Sequence, residues 1–165
     1  MSPCVRQATS ADYDAILVMN EAAVPHVNSI SCEELQKLHE SSIYLGVVTQ
    51  EGTVTGFLLV LNEGQDYQSV NYRWFGNRYD RFTYVDRIVI DKNHRQSGFG
   101  RRLYEDLILQ VAGTSPWLTC EVNLAPPNPA SIIFHQGLGF TEVGQQETDG
   151  GGKRVSLMAR SLAEA

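Results

Sequence analysis

The chain has 165 residues, 42% hydrophobic and 19% charged, the size and balance of one globular domain able to bury most of the surface its unfolded form exposes. Thirteen Lys and Arg against 19 Asp and Glu give a net charge of −6, which argues against a protein that works by non-specific attraction to nucleic acid or to an anionic membrane. The charge is uneven: residues 71–102 hold eight basic and three acidic side chains, a local +5, so the remainder carries −11.

Taken in chain order, Cys4 to Ala8 alternates as a strand, and Thr9, Ser10 and Asp12 supply the short polar groups that cap a helix. That helix runs to about Val24, with Ile16, Leu17 and Met19 at helical spacing and Pro25 as its stop. Ser31, followed by Glu33 and Glu34, opens a second helix through about Glu40, with Leu35 and Leu38 inward. The runs Ile43 to Val48 and Gly56 to Leu61 form a hairpin. Residues 62–82 lose this regularity but hold six of the chain's 15 aromatics, which predicts a structured loop or short helix covering something. Thr83 to Ile90 is a strand dense enough to be central, and a helix from about Gly98 to Ala112 presents Leu103, Leu107, Ile108 and Val111 on one face. Pro116 to Asn123 is the next strand. A short helix then begins at Asn128 or Ser131 and ends at Gly137 or Gly139, and Phe140 to Gln145 and Arg154 to Ala159 close the chain as a hairpin.

The order β-α-α-β-β-β-α-β-α-β-β is a mixed α/β arrangement whose crossovers make the middle of the sheet parallel, with antiparallel hairpins at either end. No repeat, linker or low-complexity tract divides residues 1–165, so a single domain is expected. Cys4, Cys32 and Cys120 are odd in number and far apart, without CxxC spacing, which predicts neither a disulfide framework nor a metal site. A reducing, cytoplasmic setting fits. The N-terminus has no apolar leader core and no apolar run is long enough to cross a bilayer, so no membrane partner is expected.

Arg95, Gln96, Ser97, Gly98, Phe99 and Gly100 lie between a buried strand and an amphipathic helix, with Arg101 and Arg102 immediately after. The first amides of a helix lack intrahelical partners and carry partial positive charge, and glycines let a phosphate approach them, so the segment reads as an anion cradle or as a capping turn. It lacks the GlyLysSer/Thr of a Walker loop and the GxGxxG of a dinucleotide site.

At these residues the chain resembles the GNAT superfamily of N-acetyltransferases, whose signature R/Q-x-x-G-x-G/A follows the fourth strand; ArgGlnSerGlyPheGly at 95–100 matches each fixed position. A second family pattern, Asn-x-x-Ala-x-x-Leu-Tyr-x-x-x-Gly-Phe, appears at the same spacing as Asn128, Ser131, Phe134, His135, Gly139 and Phe140, with Ser, Phe and His departing from Ala, Leu and Tyr. The resemblance implies acetyl-CoA as donor and no metal. It places the pyrophosphate on the amides of Gln96, Ser97, Gly98, Phe99, Gly100 and Arg101, with Arg95 opening the loop. It also pairs the pantetheine arm with Ile88, Val89 and Ile90, where strands four and five splay apart. Asn128, Ser131 and Phe134 are implied as further cofactor contacts. A homodimer stays open.

Asp86 and Arg87 interrupt a strand that should be covered on both faces, and neighbours on a strand point to opposite sides, so they are not expected to neutralise each other. Glu121 stands similarly in the following strand. One carboxylate bridges Arg87, or one works as a base. A base is needed because an amine of pKa about 10.4 is neutral in only about 0.04% of molecules at pH 7, a cost of about 4.6 kcal/mol. Family members commonly carry an acidic base on the fourth or fifth strand, which makes Asp86 and Glu121 the candidates. His135 takes the place of a tyrosine that in many relatives protonates the leaving thiolate; it donates a proton, contacts the sulfur, or packs beside Phe134. His26, His39 and His94 read as surface or cap residues, and Cys120 as a buried hydrophobe.

Tyr72, Trp74 and Phe75 are the candidate acceptor face, suited to a cationic amine and equally to core packing. Arg73, Arg78 and Arg81 are an alternative receptor for a carboxylate on an amino acid or peptide. The first reading is acetyl transfer to a small-molecule or peptide amine; the second is a CoA-binding or regulatory module without turnover. RNA binding through the aromatic and basic segment is opposed by the acidic remainder.

Overall fold

A computed structural model describes residues 2–162. Among them seven strands form one mixed sheet in the order β1-β2-β3-β4-β5-β7-β6, accompanied by five α-helices. The strands are β1 (Cys4–Gln7), β2 (Tyr44–Gln50), β3 (Thr53–Asn62), β4 (Thr83–Ile90), β5 (Trp117–Ala125), β6 (Thr141–Thr148) and β7 (Lys153–Ser161). The helices are α1 (Tyr13–Ala22), α2 (Cys32–Ser41), α3 (Val70–Arg78), α4 (Phe99–Val111) and α5 (Pro129–Gly137). The expected order holds, with α3 realised inside the aromatic segment, where Ser69 Oγ accepts a hydrogen bond from the Tyr72 amide at 3.2 Å. None of these helices is long and apolar enough to cross a membrane.

The chain packs as two compact units, one holding everything up to Leu61 together with Asp86–Val111, the other Asn62–Val85 together with the chain from Ala112 onward. In the first unit β1, β2 and β3 form an antiparallel meander, and the β2–β3 turn uses left-handed Glu51 and Gly52, the twist that matches a two-residue hairpin. β3 is buried without interruption from Thr55 to Leu61, the signature of a strand covered on both faces. Against it lie Ile16 and Met19 of α1 and Leu35 of α2, with Ala8, Ile30 and Val89 in the same core. Polar side chains fix the approaches to α1 and α2. Asp12 accepts the Thr9 amide at 2.8 Å and takes both arms of Arg6 at 2.8 and 2.9 Å, which holds its carboxyl below the ordinary range. Ser31 and Glu34 exchange side-chain-to-backbone bonds at 3.0 and 3.1 Å, a capping box.

In the second unit β5 and β6 flank β7 in antiparallel register, and β4 enters parallel to β5 at Thr83↔Leu118 and Tyr84↔Thr119. Both strands continue beyond these two register positions, β4 to Ile90 and β5 to Ala125. Tyr72, Phe75, Phe82 and Tyr84 are all buried, with ring centroids 5.3–6.3 Å apart in tilted and edge-to-face pairs.

Gly46 in β2 leaves room for the Tyr44 ring, whose hydroxyl donates to Asp106 of α4 at 2.8 Å in a buried setting. A Cβ at Gly46 would collide with that ring and its hydroxyl, and the ring is 1% exposed and without room to move. Gly46→Ala is therefore expected to destabilise the protein by about 1–3 kcal/mol in urea unfolding at pH 7, the usual penalty for overpacking; stability within a few tenths of the parent would show that Tyr44 can re-pack freely.

Candidate functional site

The turn from β4 into α4 is built from backbone geometry more than from side chains. The Asp91 amide donates to Thr55 of β3 at 2.8 Å, and Asp91 then caps a short 3-10 turn over Lys92–His94 by accepting the Asn93 amide at 2.9 Å. Gln96 and Gly98 adopt left-handed conformations, φ 64° and 80°, and nothing lies within 4 Å of where a Gly98 Cβ would stand. Arg95 through Gly98 are exposed while Phe99 and Gly100 are buried. The first α-helical bond of α4 runs from the Arg102 amide to the Gly98 carbonyl at 3.1 Å, which leaves the amides of Phe99, Gly100 and Arg101 ahead of the ladder. Phosphate-sized anions suit such a turn, since the dipole end, the flanking Arg95, Arg101 and Arg102, and the open space above Gly98 act together. The His94 ring stacks on Phe99 with centroids 5.9 Å apart, so it is a packing element of this turn instead of a plain surface residue.

Upstream on β4, Asp86 and Arg87 do pair, contrary to the expectation from strand alternation. The Arg87 Nε donates to Asp86 Oδ2 at 2.7 Å, and both side chains are 3% exposed. Alternation fixes where the Cβ atoms point, but the three-carbon stem of arginine can bring its guanidinium round to the neighbouring carboxylate. The rest of the guanidinium is bound within the same unit, to Asn20 Oδ1 at 3.0 Å and to the carbonyl and side-chain oxygens of Asn28 at 3.1 and 2.8 Å. Asn20 Nδ2 also donates to the Asn28 carbonyl at 3.0 Å, closing a network that runs from buried Arg87 and Asn20 out to the exposed Asn28.

In the second unit Glu121 of β5 is half-buried and its Oε1 accepts the Tyr84 hydroxyl at 2.8 Å. Cys120 beside it is buried, and that burial pushes its thiol well up, so it is a neutral packing group. His135 is 2% exposed in α5, edge-on to both Phe134 and Phe140. Its Nδ1 lies 2.8 Å from the Ser131 carbonyl, which can only accept, so Nδ1 carries the proton. Burial lowers its pKa from the ordinary histidine value, the Ser131 carbonyl opposing in part, and the ring is neutral at pH 7. Asn128 opens α5, its amide bonded to the Asn123 carbonyl and its carbonyl to the Ile132 amide, both at 3.2 Å.

The candidate acceptor residues are mostly interior. Tyr72 is 5% exposed and Phe75 fully buried; the Tyr72 hydroxyl donates to the Asn62 carbonyl at 2.6 Å and accepts the Gln65 amide at 3.0 Å. Trp74 keeps part of its surface, lies against Gly144 of β6 and carries the Arg78 guanidinium 5.0 Å above its ring. Arg73 and Arg81 bond the carbonyls of Gln68 and Thr114. Sequence reasoning passed over Tyr84, Asn20 and Asn28. Only the parallel register, which sets Tyr84 beside Thr119, signals that its hydroxyl can reach Glu121 two residues on.

Comparison with known proteins agrees with this geometry. The sequence matches the acetyltransferase (GNAT) family over residues 13–140, a span that runs through both units. Among solved structures the chain is similar to Ard1 from Thermoplasma volcanium, at 15% identity and TM-score 0.81, over 99% of this chain and all of that one. It is also similar to yncA from Salmonella typhimurium, solved with its cofactor acetyl-CoA, at 20% identity and TM-score 0.75, over 100% of this chain and 96% of that one. The ribosomal-protein-alanine N-acetyltransferase from Brucella melitensis is 22% identical with TM-score 0.72, over 96% and 99% of the two chains. No curated protein sequence matches. With the loop, the motif order and the parallel β4–β5 start in place, the chain belongs to the GNAT acetyltransferase family.

Proposed function

We propose that the chain moves the acetyl group of acetyl-CoA to a primary amine by direct attack on the thioester, the whole sequence acting as one acyltransferase domain. The observation that carries this reading is the exposed turn of residues 95–101, left-handed at two positions and flanked by three arginines ahead of the α4 ladder. A pyrophosphate is the ligand that such a turn fits. When bound, acetyl-CoA supplies a carbonyl open to nucleophiles. Backbone groups of Ile88, Val89 and Ile90 are assigned to its pantetheine arm and carbonyl oxygen, and Asn128, Ser131 and Phe134 to further contacts.

Glu121 is the base in this scheme. Asp86 is engaged by Arg87 in a buried pair, whereas Glu121 is half-buried and accepts the Tyr84 hydroxyl. Before attack one ammonium proton passes to Glu121; as the C–N bond forms and the C–S bond breaks, the nitrogen gives its second proton to solvent and the sulfur leaves as thiolate. A thiol of pKa about 8.5 leaves with little assistance. His135 is accordingly given a packing and contact role near the sulfur instead of an acid role, because its ring is neutral and its one proton is held by Ser131. The acceptor is an amine on a small molecule or peptide. An alanine-started peptide belongs in the test panel because one fold neighbour is named for acting on ribosomal-protein alanine.

Acetyl-CoA at a hundredfold excess over Kd is expected to raise the melting temperature by roughly 5–10 °C. Gly98→Val should abolish that rise, since φ is 80° at this position; no shift at millimolar acetyl-CoA would sink the donor assignment. CoA release across an amine panel then separates an enzyme from a binding module. Glu121→Gln should lower kcat/KM by about 10²–10⁴. Asp86→Asn should act first on stability, by about 3–5 kcal/mol, because it strands a buried guanidinium. If Glu121→Gln keeps full activity from pH 6 to 9, the base lies elsewhere.

His135 gives a separate pH prediction. Its folded pKa lies below the unfolded value of about 6.5, so the unfolded chain binds the proton more readily. Its stabilisation is complete above about pH 6.5 and is lost as the pH falls from there through the lower folded value. Urea midpoints between pH 7.5 and 5 should therefore fall less in His135→Phe than in the parent, and equal slopes would contradict a neutral buried ring.

A further inference from the structure

Within the first unit, β3 carries an irregularity where it meets the end of β4. Val48 pairs with Gly56 and Thr49 with Val54, so Thr55 is the extra residue of a β-bulge. The Thr55 hydroxyl turns back on β2 and donates to the Val48 carbonyl at 3.2 Å, while the Thr55 carbonyl accepts the Asp91 amide at 2.8 Å. The bulge therefore seats the first residue after β4. Gly56, beside it, has no left-handed φ, so its backbone conformation does not call for glycine. Space does: a Cβ there would stand 2.5 Å from Ile90 Cδ1, 3.0 Å from Val48 Cγ1 and 3.1 Å from the Val89 carbonyl oxygen. Carbon atoms in good contact lie about 3.5–4.0 Å apart, so Ile90 Cδ1 would have to withdraw by about 1 Å. Val48 is fully buried and has nowhere to yield, so the displacement falls on Ile90 and Val89 of β4.

We propose that Gly56 is a positioning residue for the donor: by ceding its side-chain place to Ile90 it sets the end of β4 where the pantetheine arm of acetyl-CoA can pair with it. The inference rests on the assignment of the β4 backbone to that arm. In an extended strand the N–H and C=O of one residue point to one side and those of the next residue to the other. The Val89 carbonyl lies against Gly56 and the Asp91 amide bonds Thr55, so both residues turn these groups toward β3. Ile88 and Ile90 turn theirs to the opposite side. There the Ile90 carbonyl meets Nε of Arg95, the residue that opens the phosphate turn, at 3.5 Å. The strand end that would pair with the arm and the turn that would take the pyrophosphate are thus one continuous piece of backbone, seated on Thr55 and Gly56. A backbone hydrogen bond spans only about 2.7–3.2 Å, so a shift of β4 by several tenths of an ångström is enough to weaken one. Gly56 acts through Ile90 and Val89, not on the cofactor itself.

Titration calorimetry with acetyl-CoA, well below the unfolding midpoint of every variant, tests this without an acceptor. Gly56→Ala is expected to raise the Kd by about 3–10-fold, the worth of one backbone hydrogen bond. The nucleotide of CoA without its arm, 3′-phospho-ADP, should bind Gly56→Ala and the parent alike. Ile90→Val removes Cδ1, so Gly56→Ala/Ile90→Val should bind within about twofold of Ile90→Val alone. Gly46→Ala, overpacked elsewhere in the same unit, controls for lost stability and should keep the parent's Kd. An unchanged Kd in Gly56→Ala overturns the proposal. So does an equal loss for 3′-phospho-ADP, an equal loss in Gly46→Ala, or a Gly56→Ala penalty that persists in full in the Ile90→Val background. If Gly56→Ala alone does not fold, the comparison of Ile90→Val with the double variant decides, and a double variant weaker than Ile90→Val by more than about threefold is fatal. The donor reading fails separately: a parent that binds no acetyl-CoA at millimolar concentration removes it, and this proposal with it.

Discussion

Polar side chains are costly in a strand covered on both faces, and β4 carries four in succession or near it: Thr83, whose Oγ1 is buried without a hydrogen-bond partner, and Tyr84, Asp86 and Arg87, which are bonded. The solutions organise both compact units, because the strand gives Thr83–Val85 to one and Asp86–Ile90 to the other. In the first unit the Arg87 guanidinium gathers Asp86, Asn20 and Asn28, so the end of α1 and the connection to α2 are fixed to the strand around a buried guanidinium. An apolar residue at 87 would pack at least as well, since buried ion pairs add little net stability over hydrophobic packing. What the arginine contributes is a defined position for the connection. In the second unit the Thr83 carbonyl accepts the Thr119 hydroxyl at 3.0 Å and the Tyr84 hydroxyl reaches Glu121, so β4 and β5 are tied by side chains where their register begins.

The elements were legible in the sequence wherever local signals were explicit. Ser31 with Glu34 marks the start of α2, Glu51-Gly52 the β2–β3 turn, and the β4 run its own ends. α3 was less visible because only Tyr72 and Phe75 recur at helical spacing within a polar stretch, and the packing that rewards those two rings comes from Phe82 and Tyr84 later in the chain. Gly98 advertised a left-handed turn. Gln96 did not, since a non-glycine residue at φ 64° gives no compositional hint.

The candidate site was legible as chemistry and illegible as contacts. Charges inside β4 and β5 identified Asp86, Arg87 and Glu121 as residues that must be paired or at work, which is a statement about solvation. Which partner each takes depends on side-chain reach and register. Arginine's stem defeats the alternation argument at 86–87, and the phenol that meets Glu121 is set by a parallel pairing of strands far apart in sequence. Aromatic composition likewise cannot separate a ring that faces a ligand from one that braces a neighbour. Burial separates them, and it places Tyr72 and Phe75 in the interior.

Replacing the family's tyrosine by His135 shifts the weight of the proposed reaction toward its first half. A tyrosine hydroxyl brings a proton that can be given to sulfur, whereas this imidazole is neutral and its one proton already bonds the Ser131 carbonyl. Little is lost at the leaving group, because a thiol of pKa about 8.5 departs as thiolate near neutrality, while an attacking amine of pKa about 10.4 must first give up its proton. The larger demand therefore falls on the base. The inward packing of the motif histidine against Phe134 and Phe140 is compatible with that demand, since it withdraws no proton the leaving thiolate needs.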